Sequence, residues 1–267
     1  MRLAMPEGDT IYRSAANLRK AMEGETIDAA LCHNSRFEQP LSPARLVGQS
    51  CERVEASGKH LLMHLSSRDV IHSHMGMTGS WHVYRIGEPW QKGRPFASLE
   101  LQMADWSVVC FTPKLLELLT TDELRRHRHL SRLGSDLLDP GFELEKAIQR
   151  LRKRDDLTIG EAVMDQTLVS GIGNVYKSET LFLERLNPFQ RVGEIPDSRL
   201  QQLLTRAQKL MLRNLEGHPR KTRFEGGDRQ WVYNRSGNPC PKCGATIQMQ
   251  RQGDLGRSTY WCPECQA

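Results

Sequence analysis

Four cysteines near the C-terminus have the spacing of a metal site. Cys240-Pro-Lys-Cys243 and Cys262-Pro-Glu-Cys265 form two CxxC pairs with 18 residues between them. Each CxxC turn aims two sulfurs at one point, and a hairpin of that length brings the pairs together around a tetrahedral zinc ion. With all four positions filled by protein, the ion is structural rather than catalytic. In so short a module it supplies most of the folding free energy. Redox pairs or disulfides share the spacing, but they go with a βαβ context or an exported chain, and the sequence suggests neither.

At the other end, Pro6-Glu7-Gly8 precedes a helical pattern. Proline favours helix starts and turns, which accounts for it without any chemistry. As the first residue of a working chain, however, Pro6 is a secondary amine. Terminal amines titrate at about 7.7–8.0, so a fraction of it, about a tenth or more, is unprotonated at neutral pH. Such an amine attacks an aldehyde-level carbon and forms an iminium, chemistry otherwise given to a lysine Schiff base. Glu7 beside it is then a general acid or base. A third candidate is Ser170-Gly171-Ile172-Gly173-Asn174. A glycine-rich loop opening a helix presents backbone amides to an anion such as phosphate. A tight helix-turn-helix connection explains the same residues.

The elements that hold these residues follow from periodicity. Asp9 to Met22 places Ile11, Ala15, Leu18 and Met22 near the helical repeat, with Asp9 as the expected N-cap. Short β-like runs then appear at Thr26–Cys32, Cys51–Ala56, Leu61–Leu65, Val70–His74, Ser80–Tyr84, Ser98–Met103 and Val108–Phe111. Strands at this spacing, separated by turn residues, predict an antiparallel sandwich or barrel. Beyond Pro113 the pattern predicts helices at Leu115–Thr120, Glu143–Lys153, Ile159–Val169, Asn174–Leu186 and Ser198–Asn214. Gly226-Gly227 then leads into the zinc hairpin, with turns expected at Asn238 and Gly256.

The chain has 267 residues, 38% hydrophobic and 26% charged, and a mean hydropathy of −0.55. No run approaches the roughly 18 apolar residues of a membrane span, and the start turns polar too soon for a secretory signal. The expectation is a soluble, cytoplasmic protein. Cys32, Cys51 and Cys110 stand singly among apolar residues, as small buried hydrophobes do. The net charge is +5. The window Arg220–Tyr260 alone holds eight basic and three acidic side chains, a surplus equal to that of the whole chain. A local basic surplus suits a polyanionic partner, and equally a solvated surface.

Six motifs in one order give the chain a family likeness: Met5-Pro6-Glu7-Gly8; Gly58-Lys59-His60-Leu61-Leu62; Ser73-His74-Met75-Gly76-Met77-Thr78-Gly79-Ser80-Trp81; Gly171-Ile172-Gly173-Asn174; Val232-Tyr233-Asn234-Arg235-Ser236-Gly237; and Arg257 with the four cysteines. The sequence resembles the Fpg/Nei DNA glycosylases, which include formamidopyrimidine-DNA glycosylase and endonuclease VIII. The resemblance implies an α+β protein with three segments. They are an N-terminal helix and antiparallel β-sandwich over 1–136, a helical helix-two-turn-helix domain over 137–225, and a four-cysteine zinc-ribbon hairpin over 226–267. It also implies a bifunctional, monomeric base-excision enzyme. Such an enzyme flips an oxidised base out of double-stranded DNA, displaces it by attack of a terminal proline on C1′, and cuts the strand by β,δ-elimination. In that frame Pro6 is the nucleophile, Glu7 protonates the opening sugar, and Lys59 binds the backbone and takes part in proton transfer. His74 and Asn174 contact phosphates, and Arg257 clamps those next to the damaged nucleotide. Met77 is the apolar wedge that fills the gap left by the flipped base, although outside the family frame it reads as a core methionine in a strand.

Some positions depart from the family pattern. With Met1 to Ala4 attached, Pro6 is an internal tertiary amide with no amine to react. The expected start is therefore Met5, removed to expose Pro6. If the extension is retained, the alternative is a protein that binds damaged DNA without cutting it. Lys114-Leu115-Leu116 stands where formamidopyrimidine-DNA glycosylases carry a void-filling Arg-Arg-Phe, and the stretch between His218 and Val232 is short. Both favour the endonuclease VIII branch and oxidised pyrimidines. Gly76-Met77-Thr78 resembles the other branch, and Thr10 replaces a glutamate common in endonuclease VIII.

Overall fold

Short apolar runs separated by turn residues form the first half of the chain into antiparallel sheet, with the helix that opens the chain packed on it. The computed structural model describes residues 6–216 and 219–267. The expected start at Met5, with removal of what precedes Pro6, lies outside these residues. Contacts divide the chain between Arg132 and Leu133 into two units.

In the first unit, α1 (Gly8–Met22) buries Ile11, Ala15, Leu18 and Met22 on one face. Its N-cap is Glu7 rather than the expected Asp9. Glu7 has extended backbone, φ −123° and ψ −179°, and its carbonyl accepts from the Thr10 and Ile11 amides at 2.9 and 3.2 Å. Asp9 lies in the first turn, where a carboxylate suits the positive end of the helix. The strands β1 (Ala29–Cys32), β2 (Cys51–Ser57), β3 (His60–Leu65), β4 (Asp69–His74), β5 (Ser80–Arg85), β6 (Ala97–Met103), β7 (Trp106–Phe111) and β8 (Leu115–Thr120) form two four-stranded sheets. Their orders are β1-β6-β7-β5 and β2-β3-β4-β8. Leu61, Met63 and Ile71 of one sheet share a core with Leu99, Leu101 and Val108 of the other and with the buried face of α1. Two short helices, α2 (Glu38–Leu41) and α3 (Thr121–Arg126), lie in the connections.

Leu115–Thr120 corrects the sequence reading, which predicted a helix there. The segment pairs antiparallel with β4. Leu116 is buried and Leu118 packs against the core, whereas Glu117 belongs to the opposite face. That period of two is a strand pattern, and six residues are too few to establish a helical one.

The second unit contains β9 (Ser135–Asp136), α4 (Leu144–Arg152), α5 (Ile159–Ala162), β10 (Val169–Ser170), α6 (Asn174–Leu183), α7 (Asp197–Arg213), β11 (Gln248–Gln252) and β12 (Arg257–Trp261). The helix predicted over Ile159–Val169 ends at Ala162. Asp165 Oδ1 accepts from the Thr167 amide at 2.9 Å, a local bond that competes with helix. Ser135–Asp136 pairs with Val169–Ser170 within the second unit. There β12 packs on α6. No described helix is long and apolar enough to cross a membrane.

Candidate nucleic-acid interface and metal centre

The expected site residues fall in both units. Pro6, Glu7, Lys59, His74 and Met77 lie in the first; Asn174, Arg257 and the four hairpin cysteines lie in the second. Pro6 is half-buried, and Glu7 is fully buried where α1 begins. Lys59 sits with Gly58 in the two-residue turn between β2 and β3. Gly58 has a φ of +57°, the left-handed backbone that a two-residue hairpin needs at its first position.

The partner strand delivers the next two residues. His60 and His74 are opposite each other on β3 and β4. Burial, then the Lys114 and Lys59 charges, pushes the His74 imidazole down to about 4. His74 is therefore neutral at pH 7. Its Nδ1 lies 3.1 Å from the Gly76 amide, which donates to it, so its proton is on Nε2, available to an acceptor such as phosphate. Met77 follows in the β4–β5 turn and is 65% exposed, not a core methionine in a strand. Gly76 supports this turn with a φ of +67°, and a Cβ there would meet Lys114 Cβ at 2.8 Å.

In the second unit the glycine loop opens α6. Gly171 adopts a φ of +100°, and the Gln166 side chain braces the loop by accepting from the Gly171 amide and donating to the Ile172 carbonyl, at 3.2 and 3.1 Å. Asn174 Nδ2 donates to Ser258 Oγ at 3.3 Å. Ser258 follows Arg257, which opens β12 directly after the hairpin tip, so the structure brings Asn174 and Arg257 together from distant parts of the sequence. Asn174 Oδ1 and Arg257 Nε are both buried with no hydrogen-bond partner. Buried groups left open in this way retain bonding capacity for a ligand. Arg257 also lines a cleft of about 420 Å³ with Arg154, Gln166, Lys177 and Gln252.

Sequence reasoning missed Lys177, one turn after Asn174. Its ammonium is buried and donates to Ser258 O and Thr259 Oγ1 at 3.2 and 2.8 Å, fastening the hairpin to α6. The i,i+3 spacing from Asn174 was the available signal. Glu179 was missed as well. Its carboxylate is fully buried and accepts from the amides of Trp231, Val232 and Tyr233 at 2.7, 2.8 and 2.7 Å and from the Thr222 hydroxyl. It thereby folds the approach to the hairpin around itself. Burial raises its titration above the ordinary carboxylate range, against the lowering effect of these donors. Glu179→Gln should cost about 3 kcal/mol, because an amide NH2 replaces an oxygen that accepts from buried N–H groups. Urea denaturation measures this; a loss below about 1 kcal/mol would contradict the assignment.

The four cysteine sulfurs lie within 4.8 Å of one another. Cys240 and Cys265 are 3.9 Å apart, and Cys243 and Cys262 are 3.4 Å apart. Sulfurs at about 2.3 Å from a tetrahedral zinc are about 3.8 Å from each other, whereas a disulfide requires about 2.05 Å. The residues fit one structural zinc ion.

Family models match three successive stretches of the chain. They are the formamidopyrimidine-DNA glycosylase N-terminal domain over residues 5–114, the formamidopyrimidine-DNA glycosylase H2TH domain over 133–225, and the zinc finger found in FPG and IleRS over 237–267. The chain belongs to the formamidopyrimidine-DNA glycosylase family. It is 38% identical to probable endonuclease 8 2 of Streptomyces coelicolor, over 98% of this chain and 94% of the relative. It is 35% identical to the DNA-(apurinic or apyrimidinic site) lyase Nei2 of Mycolicibacterium smegmatis, over 98% and 99%. The formamidopyrimidine-DNA glycosylase of Rhodopseudomonas palustris is 32% identical over 98% and 99%. Among solved structures, Lactococcus lactis formamidopyrimidine-DNA glycosylase bound to abasic-site DNA shares the fold, with a TM-score of 0.81, 22% identity and coverage of 98% and 99%.

Proposed function

We propose that this chain is a bifunctional DNA glycosylase and abasic-site lyase that removes oxidised bases, pyrimidines above others, from double-stranded DNA. The observation that carries the reading is the full-length match to relatives named endonuclease 8 and to one named an abasic-site lyase. Its matched N-terminal domain begins one residue before Pro6. The enzyme acts as a monomer where the DNA is, in the cytoplasm or on the nucleoid.

Pro6, freed as a terminal amine, attacks C1′ of the flipped nucleotide. The C1′–base bond breaks, the base leaves with a proton, and an iminium links Pro6 to the opened sugar. Glu7 protonates the sugar ring oxygen as the ring opens. Loss of a C2′ proton from the iminium then expels the 3′ phosphate, a second elimination expels the 5′ phosphate, and water releases the amine. Lys59 at its hairpin turn binds backbone and moves protons; His74 offers Nε2–H to phosphate. Asn174 and Arg257 hold the phosphates beside the lesion, and exposed Met77 enters the gap in the stack.

Glu7→Gln separates the two activities, because an abasic site already presents an aldehyde to the amine whereas an intact nucleoside needs its ring opened. Base removal should fall by about 10²–10⁴-fold, while cutting at a preformed abasic site stays within about tenfold. Equal losses on both substrates would contradict the role of Glu7. Arg257→Ala should weaken DNA binding across sequences and make log K against log salt shallower by about one charge. An unchanged slope would count against the phosphate clamp.

The preference for pyrimidines is supported by the Lys114-Leu115-Leu116 segment. Leu115 and Leu116 are tied into β8 against His74 and Ser73, and Leu116 is buried in the core, so these side chains are committed to the sandwich. Excision rates on thymine glycol, dihydrouracil and 8-oxoguanine duplexes test the preference; fastest release of 8-oxoguanine reverses it.

A further inference from the structure

The β2-β3-β4-β8 sheet carries a set of ionisable side chains that the reaction above does not use. His72 and Glu117 are directly opposite each other on β4 and β8, with His72 Nδ1 2.9 Å from Glu117 Oε1. His127, the residue that ends α3, brings Nε2 to 3.3 Å from the same oxygen. The His72 side chain is fully buried, whereas those of Glu117 and His127 are 23% and 16% exposed and leave a way in from solvent. One ligand atom from each lies within 4.8 Å of the other two.

We propose that His72, Glu117 and His127 form a second metal site for a divalent ion of zinc type, separate from the four-cysteine centre. Two imidazoles and a carboxylate are a donor set that zinc accepts, with its fourth position left to water. Ligands at about 2.0–2.1 Å from a tetrahedral ion are about 3.3–3.4 Å apart. The separations of 2.9 and 3.3 Å to Glu117 Oε1 are close to that edge, so the ion enters with small side-chain shifts. An outer partner is in place too: His60 Nδ1 lies 2.8 Å from His72 Nε2. A metal-bound imidazole characteristically donates its other N–H to an acceptor that fixes its orientation, and the His60 ring nitrogen stands at that position.

Occupation would reverse a chain of hydrogen bonds. Without an ion, His72 Nδ1–H and His127 Nε2–H donate to Glu117, and His60 Nδ1–H donates to His72 Nε2. With the ion on those two nitrogens, their protons sit on His72 Nε2 and His127 Nδ1. His72 then donates to His60 Nδ1, and the His60 proton moves to its Nε2. The cost is the bond from the Leu130 amide to His127 Nδ1, already long at 3.3 Å. The His60 ring meets His74 edge-on, with centroids 4.8 Å apart. His74 in turn accepts from the Gly76 amide, so the ion would stiffen the loop that carries Met77.

The test uses the full chain with its cysteine centre loaded, dialysed against micromolar ZnCl2, with metal counted by atomic spectrometry. Wild type should hold two zinc ions per chain, and Glu117→Gln and His127→Gln one each. Long-range ¹H–¹⁵N spectra of the imidazoles should show His60 changing from the Nδ1–H to the Nε2–H form as the second equivalent is added. A second equivalent of Co²⁺ should add d–d absorption without a thiolate charge-transfer band. One zinc per wild-type chain, a count that depends on no variant folding, overturns the proposal and leaves a hydrogen-bonded cluster. Two zinc ions in both folded variants also overturn it, by placing the second ion elsewhere.

Discussion

A chain beginning at Pro6 should be trapped by borohydride as a covalent complex on duplex DNA containing an abasic site, whereas the chain retaining residues 1–5 should not. The difference in strand cutting should exceed about 10³-fold, or about 4 kcal/mol of barrier. The internal Met5–Pro6 amide delocalises the nitrogen lone pair into its carbonyl and leaves nothing to attack C1′. A free Pro6 is placed for the opposite result. It stands before Glu7 at the start of α1, where the positive end of the helix disfavours an ammonium and so favours the reactive amine. Peptide mapping of the reduced complex should find the added sugar on Pro6. An adduct on a lysine, or equal cutting by the two chains, would remove Pro6 from the mechanism and favour a protein that binds damage without cleaving it.

Removing the zinc should cost at least 100-fold in affinity for the same duplex, about 2.7 kcal/mol. Cys243→Ser takes away one corner of the tetrahedron and prolonged chelation takes the ion itself, and in a hairpin this small the metal supplies most of the folding free energy. The loss spreads through named contacts. Without β12, Arg257 loses its position, Asn174 loses Ser258, and buried Lys177 loses Ser258 O and Thr259 Oγ1. Gln252 loses its bond from Thr259. The sandwich should stay folded, since its core draws on the first unit alone. Titration of fluorescent abasic-site duplex before and after chelation measures the effect. Affinity retained within about threefold, with zinc loss verified, would show that the hairpin does not hold the DNA.

How far the sequence carried this reading depended on the range of the interactions involved. The zinc ligands were legible because a CxxC turn is a local geometry, complete within four residues. The seven strands before Pro113 were legible because turn residues interrupt short apolar runs. Leu115–Thr120 was not, since six residues cannot separate two periodicities and the pairing with β4 decides the matter. Met77 as a residue type was visible, but its exposure depends on the turn that Gly76 supports against Lys114. Lys177 and Glu179 were unremarked because a charged residue on a helix is ordinarily solvated; burial and the backbone groups they hold come from segments about 50 to 80 residues away.

Sequence by itself determined the inventory: a proline–glutamate pair ahead of a helix, a lysine at a hairpin turn, a glycine loop opening another helix, and four thiolates at zinc spacing. These depend on residue chemistry and on geometry within a few bonds. Tertiary structure alone decided which groups are left unsatisfied and which face one another. Asn174 reaches Ser258, the neighbour of Arg257, because β12 packs on α6 over buried Lys177, and His72, Glu117 and His127 meet only because β8 pairs with β4 and α3 ends beside them. Such pairings arise when distant segments share a core, and local preference carries no information about which segments those will be.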